Sequence, residues 1–244
     1  MGVPRLIRAI AEGLARPFGV RIVSAQWGPR GFSTALLRLK QRGFRPGTIV
    51  DIGASNGTWS RECLEIFPDA RYALFDALRE NAAALNEFAA AHKNAAYWIG
   101  TLGSRAAQSI LRVHGDQSSI YSSSSFPGRP RPVEMRPLDS FIREMDFRSP
   151  LLIKADVQGY EIEIIRGASD CLAMTEVLLL EVSFIRVYED CPLAHEVVAE
   201  IGKAGFRLHD ICSYVQRPAD GVLAHGDLMF IREGSSLIGS ENWF

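Results

Sequence analysis

With 244 residues, 47% of them in the hydrophobic set, the chain has enough material for one domain with a generous core and some extension beyond it. A formal net charge of −1 gives no electrostatic footing for nucleic acid as the main partner. No run approaches the roughly 18 to 20 apolar residues of a membrane span, and Cys63, Cys171, Cys191 and Cys212 form no Cys-x-x-Cys pair, which favours a reduced, cytoplasmic protein without a structural zinc.

In chain order, Met1 to Val23 carries Arg5, Arg8, Arg16 and Arg21 among Leu6, Ile7, Ile10, Leu14 and Phe18, the pattern of a basic amphipathic helix. Such a helix docks on its own domain or touches an anionic membrane surface; it lacks the uninterrupted apolar core of a signal peptide. Gln26 to Gly31 reads as a loop and Ser33 to Gln41 as a helix stopped at Gly43, so residues 1–44 are expected to form a helical extension and residues 45–244 the main domain.

That domain opens on Thr48 to Ile52, an apolar, β-branched strand ending Asp51-Ile52 and followed by Gly53-Ala54-Ser55-Asn56-Gly57. The strand reads as a central one, buried on both faces. Gly53 and Gly57 supply positive φ or close backbone approach, and Thr58 or Ser60 is expected to cap the following helix. The free N–H groups at a helix start favour an anionic group. The spacing lacks the three glycines of a dinucleotide loop. An acid at the end of this strand suits a cofactor carrying a positive charge or an amine, and S-adenosylmethionine carries both. The next strand, Arg71 to Phe75, ends at Asp76, 25 positions beyond Asp51, where a carboxylate can accept hydrogen bonds from both ribose hydroxyls.

A helix over Arg79 to His92 and a third strand, Ala95 to Ile99, continue the βαβ pattern. Between Ser104 and Arg136 it breaks. Gln108 to Val113 suggests a strand, and the Ser- and Pro-rich run from Asp116 to Pro130 reads either as a flexible insertion or as a lid over a site. Regularity returns with Val133 to Arg136 and a short helix from Leu138 or Asp139. Then come the strand Leu151 to Asp156, a helix through Ile162, Ile164 and Ile165 stopping at Gly167, and the strand Val177 to Val182 with Glu181 near its end. A helix over His195 to Ala204 and strands near Phe206 to Ile211 and Asp227 to Ile231 complete an expected α/β sheet.

Several separated blocks resemble the FkbM family of S-adenosylmethionine-dependent methyltransferases: Val50 to Ala54 with Gly57, Phe75-Asp76, Ser118-Ser119, Pro137-Leu138-Asp139, Leu152 to Glu161 with Gly167-Ala168, Glu181-Val182, and Asp227 to Phe230. They cover roughly residues 45 to 232, and the Lys154-x-Asp156-x-x-Gly159-x-Glu161 block is the most specific. Where the family has Glu-Pro this chain has Asp76-Ala77, one methylene shorter.

The resemblance implies a Rossmann-like class I methyltransferase fold, a seven-stranded, mostly parallel sheet in the order 3-2-1-4-5-7-6 with helices on both faces and the seventh strand antiparallel. It also implies O-methylation of a hydroxyl on a sugar, glycan precursor or other small molecule. Asp51, Gly53, Ala54, Ser55, Asn56, Gly57, Asp76, Ser118 and Ser119 are then expected to bind S-adenosyl-L-methionine. Asp156, Glu181 and Lys154 are the expected catalytic groups, Asp156 and Glu181 lying a few ångströms apart on adjacent strands and sharing a proton, binding a cation or being balanced by Lys154. Lys154 is expected to pair with Asp156. Mg²⁺ ranks second among these options, because no third ligand is evident. Rival readings are an NAD(P)-dependent oxidoreductase or epimerase and a non-catalytic methyltransferase-like scaffold. The acceptor and the oligomeric state are left open by the sequence.

Overall fold

The structure, a computed structural model, describes residues 31–240 and 242. The amphipathic segment expected over Met1 to Val23 lies outside the described residues. Helix α1 (Phe32–Gln41) leads into a seven-stranded sheet made of β1 (Thr48–Ile52), β2 (Arg71–Asp76), β3 (Ala95–Ile99), β7 (Leu151–Ala155), β8 (Thr175–Ser183), β9 (Phe206–Gln216) and β10 (Leu223–Arg232). Its spatial order is β3-β2-β1-β7-β8-β10-β9. Numbered along the chain within this sheet, that is the expected 3-2-1-4-5-7-6. β10 runs antiparallel to both β8 and β9, and the other pairings are parallel.

Strand alternation divides the core in two. Ile49, Leu74, Leu152, Leu179 and Met229 face α1, α2 (Thr58–Ile66) and α3 (Ala82–Ala91). Val50, Phe75, Ile153, Leu178 and Phe230 face α4 (Glu161–Arg166), α5 (Ser169–Met174) and α6 (Ala194–Lys203). Both faces of β1 and β7 are therefore covered, which is why their sequences are continuous apolar runs.

Three features depart from the sequence expectation. The helix expected over Arg79 to His92 begins as a 3-10 turn, Arg79–Asn81, before α3. α2 is not capped by Thr58 or Ser60: its N-cap is Gly57, and the Asn56 side chain accepts from the Thr58 N–H at 3.1 Å. Ser60 instead turns inward onto Asp51. Third, the strand expected over Gln108 to Val113 is present as β5 (Ala107–Val113), but it belongs to a second sheet between Thr101 and Arg136, in the order β4-β6-β5 with β4 (Thr101–Leu102) and β6 (Arg129–Arg136). Pro130 and Pro132 fit in β6 because β4 pairs only with Met135 and Arg136, so the proline half of β6 has a partner on one side alone.

Candidate active site

The carboxyl ends of β1, β2, β7 and β8 open onto one cleft of ≈ 620 Å³, within the size range of small-molecule sites and at the crevice where open α/β sheets bind ligands. Gly53, Ala54, Ser55 and Asn56 line it, as do Asp76, Ser118, Ser119, Lys154, Asp156 and Glu181. Asp51 and Gly57 do not.

Asp51 is fully buried beneath the loop. Ser60 Oγ donates to its Oδ2 at 2.7 Å, and Lys154 Nζ lies 3.2 Å from its Oδ1. Lys154 also donates to the Gly53 carbonyl at 2.9 Å, while Asp156 is more distant at 3.8 Å. The main partners of Lys154 are thus Asp51 and the loop backbone, in place of the expected Asp156. Burial opposes the lysine's charge, Asp51 and Asp156 favour it, and the balance lies above the usual lysine value.

The loop needs its glycine at position 53. With φ +74° a side chain is disfavoured, and a Cβ there would sit 1.9 Å from the Asp156 carbonyl. Beyond it the Ser55 N–H donates to Asp76 Oδ2 at 2.7 Å, tying the loop to the end of β2. Asp76 Oδ1 accepts from Leu78 N at 2.8 Å and Asn81 Nδ2 at 3.0 Å. Burial raises its carboxyl above the ordinary range against these hydrogen bonds.

Asp156 and Glu181 are brought together, with an amide between them. Gln158 Nε2 donates to Asp156 Oδ1 at 3.0 Å and to Glu181 Oε2 at 2.9 Å. The Gln158 backbone has φ 58°, the left-handed region, and its carbonyl accepts from Ser119 Oγ at 2.8 Å. The Tyr188 hydroxyl lies 3.0 Å from Gln158 Oε1 and 2.9 Å from Gln117 Oε1. Glu161, also buried, accepts from the N–H groups of Val157 and Gly159 and so closes the turn; burial pushes its carboxyl up to about 8.

On its other side Glu181 meets His225, whose Nδ1 lies 2.7 Å from Glu181 Oε1. Asp227 sits opposite Glu181 in the β8–β10 register and accepts from Ser213. Burial raises the Glu181 and Asp227 carboxyls, and the Glu181 hydrogen bond raises His225. Among the described residues no group of three or more His, Cys, Asp or Glu side chains is arranged to hold a metal ion. The Gln158 amide hydrogens address the same oxygens a divalent cation between Asp156 and Glu181 would claim, so this donor set does not fit one.

Ser118 and Ser119 differ in role. Ser118 Oγ bonds within its own turn, accepting from His114 N and donating to the Gly115 carbonyl. Ser119 reaches Gln158. Farther along, Ser123 Oγ donates to the Val187 carbonyl and Glu189 N donates to the Ser122 carbonyl, so the serine run is strapped to the segment after β8.

Sequence reasoning gave no role to Gln158, Tyr188 or His225. Gln158 stood inside the most specific block but carries no charge. His225 fell two residues before the strand expected from Asp227; β10 begins at Leu223, and its first five residues, Leu223-Ala224-His225-Gly226-Asp227, carry no apolar run that would mark it.

Comparison with known proteins places this geometry. The Methyltransferase FkbM domain matches residues 51–208. A crystal structure of an FkbM methyltransferase from Methylobacillus flagellatus superposes with a TM-score of 0.52 at 16% identity, covering 82% of this chain and 48% of that one. This chain thus spans about half the length of that protein, and the likeness is one of fold. Magnesium protoporphyrin IX methyltransferase from Synechocystis, with bound SAM, gives a TM-score of 0.47 at 13% identity, covering 93% and 95% of the two chains. The O-methyltransferase TomG from Streptomyces achromogenes gives 0.44 at 16%, covering 95% and 91%. No curated protein matches the chain. No helix among the described residues is long and apolar enough to cross a membrane. The matched segment runs from the acid beneath the glycine loop into β9, through every strand end that lines the cleft, and the chain belongs to the FkbM methyltransferase family.

Proposed function

We propose that the protein is an S-adenosylmethionine-dependent O-methyltransferase acting on a hydroxyl of a sugar, glycan precursor or other small molecule. The observation that carries this reading is one cleft with a carboxylate at the end of β2 and a bridged carboxylate pair at the ends of β7 and β8, separated by a glycine-bearing loop.

The residues fit the cofactor. Asp76 keeps lone-pair capacity on Oδ2 for a ribose hydroxyl after accepting from Ser55. Trp59 lines the cleft just after the glycine loop, and its Nε1 is buried without a hydrogen-bond partner among the described residues, a donor suited to a carboxylate or hydroxyl of a ligand. Asp156, Glu181 and Asp227 outnumber the cation Lys154 near the β7 and β8 ends, an excess that favours a sulfonium and an ammonium. When bound, S-adenosylmethionine supplies an electrophilic methyl group.

The chain's own work is then alignment and proton removal. Gly53 to Asn56 hold the cofactor in register, while Asp51 and Gly57 act through the loop's shape. Lys154 fixes the Gly53 carbonyl. Asp156 and Glu181 face the space where the acceptor enters. The acceptor class rests on the family resemblance.

Thermal shift and calorimetry with S-adenosylhomocysteine against NAD test this reading. Stabilisation by the former alone is expected. A shift with NAD alone would support an oxidoreductase, and binding of S-adenosylhomocysteine with no turnover of S-adenosylmethionine across acceptor panels would support a scaffold.

A further inference from the structure

We propose that His225 takes the proton from the acceptor hydroxyl, with Glu181 as the positioning residue that holds its imidazole so that Nε2 is the free base. This rests on the O-methyl transfer reading above and adds a residue to it.

The geometry assigns the roles. Glu181 Oε1 lies 2.7 Å from His225 Nδ1, and a carboxylate there fixes the hydrogen of a neutral imidazole on Nδ1. Nε2 is then a bare lone pair. The imidazole is 37% exposed, and among the described residues nothing hydrogen-bonds to Nε2. Glu181 is a poor direct base, because Oε1 faces the imidazole, Oε2 accepts from Gln158 and its side chain is only 14% exposed.

Topology puts the imidazole at the border of the cleft. His225 is not itself among the residues lining the ≈ 620 Å³ cleft; it borders the cleft through Glu181, which lines it, so the acceptor must extend past Glu181 to reach Nε2. β10 runs antiparallel, so its first residues lie beside the last residues of β8, and His225 pairs in register with Ser183. The charged groups acting on the ring are Glu181 from β8, Asp156 after β7 and Asp227 on β10 itself; all are acids and all favour the imidazolium. An imidazole of raised proton affinity flanked by a carboxylate is suited to a transient imidazolium.

The step balances without another reactant. The acceptor's O–H proton passes to His225 Nε2 as its oxygen bonds to the methyl carbon, and the electron pair of the broken carbon–sulfur bond stays on sulfur. The sulfonium charge is thereby neutralised, the imidazolium is held by Glu181, and His225 later releases its proton to water.

The test uses the full chain and two cofactor analogues: S-adenosylhomocysteine, and sinefungin, which carries an amine where the transferred methyl group sits. Imidazole ¹⁵N resonances are followed against pH, with His225 assigned through His225→Asn. In the S-adenosylhomocysteine complex His225 is expected as the Nδ1–H tautomer, and Glu181→Gln is expected to lower its proton affinity about tenfold or more. In the sinefungin complex the nearby ammonium is expected to lower the wild-type affinity for the proton by a similar factor. An Nε2–H tautomer, or equal proton affinity in the two complexes, would overturn the proposal, since a purely structural histidine would not sense the transfer point. Failure of the wild type to bind either analogue by calorimetry would instead overturn the cofactor reading on which it rests.

Discussion

Asp51 and Lys154 are register partners on adjacent parallel strands, and their side chains meet 3.2 Å apart beneath the glycine loop. The pair fastens β1 to β7 while Lys154 holds the Gly53 carbonyl above it. Removing one member leaves the other charge buried, which typically costs about 3 to 5 kcal/mol. Asp51→Asn and Lys154→Met should each lower urea-unfolding stability on that scale, and the double substitution should cost less than the sum. Because the folded lysine value is raised, the contribution is complete below the unfolded value of about 10.4 and fades only as pH rises through the folded one. The deficit of Lys154→Met should therefore stay constant between pH 6 and 9; a deficit that vanishes within that range would show that Lys154 is not held as a cation.

Glu161 predicts a pH dependence of opposite practical reach. Burial raises its carboxyl to about 8, from 4.5 when unperturbed. Between those values the folded state binds the extra proton, so stability should fall as pH rises from 5 to 8, at most about 1.4 kcal/mol per unit, and level off above. Glu161→Gln keeps an oxygen for the Val157 and Gly159 N–H groups. Its unfolding free energy should vary less with pH and match or exceed the wild type at pH 8. Parallel profiles for the two proteins would remove Glu161 as the source.

The centre of the sheet was legible in the sequence because its strands are buried on both faces, so β1, β7 and β8 stand out as apolar runs with acids at or near their ends. Of the second sheet only β5 was legible, as the strand over Gln108 to Val113; its pairing was not, since β6 alternates charged residues with Pro130 and Pro132, and nothing local says that only Met135 has a neighbour on both sides. At the site, the acids were legible from their places at strand ends. What joins them was not. Gln158 works through a left-handed backbone and a neutral amide, and the Glu181–His225 contact depends on β10 returning beside β8, a long-range pairing that no sequence spacing encodes.

Gln158 is held at φ 58°, a conformation costing a non-glycine residue roughly 1 to 2 kcal/mol. Gln158→Ala and Gln158→Gly both delete the amide that separates Asp156 from Glu181, but only glycine relieves the backbone. Gln158→Gly should exceed Gln158→Ala in unfolding free energy by about 1 kcal/mol. Equal stabilities would mean that the turn relaxes once the amide bridge is gone.

Asp76 offers the sharpest test of the cofactor assignment. Its Oδ1 already accepts from Leu78 N and Asn81 Nδ2, and its Oδ2 from Ser55 N. A carboxylate has about four acceptor sites, so one remains, on Oδ2. The sequence expectation of two ribose hydroxyls on this acid therefore becomes one direct hydrogen bond unless Asn81 moves aside. One charge-assisted bond is worth about 1.5 to 3 kcal/mol, or roughly 10- to 150-fold in affinity. With S-adenosylhomocysteine analogues lacking either the 2′- or the 3′-hydroxyl, calorimetry should show a loss of that size for one analogue and a small loss for the other. Asp76→Ala should weaken binding of the full ligand at least as much, because the Ser55 N–H loses its anchor too, and should add little to the loss of the sensitive analogue. Asn81→Ala, which frees Oδ1 without removing the carboxylate, should let the second hydroxyl contribute. Unchanged affinity in Asp76→Ala would remove Asp76 from the cofactor site; equal losses for both analogues in the wild type would show that Asn81 gives way and that the acid spans both hydroxyls.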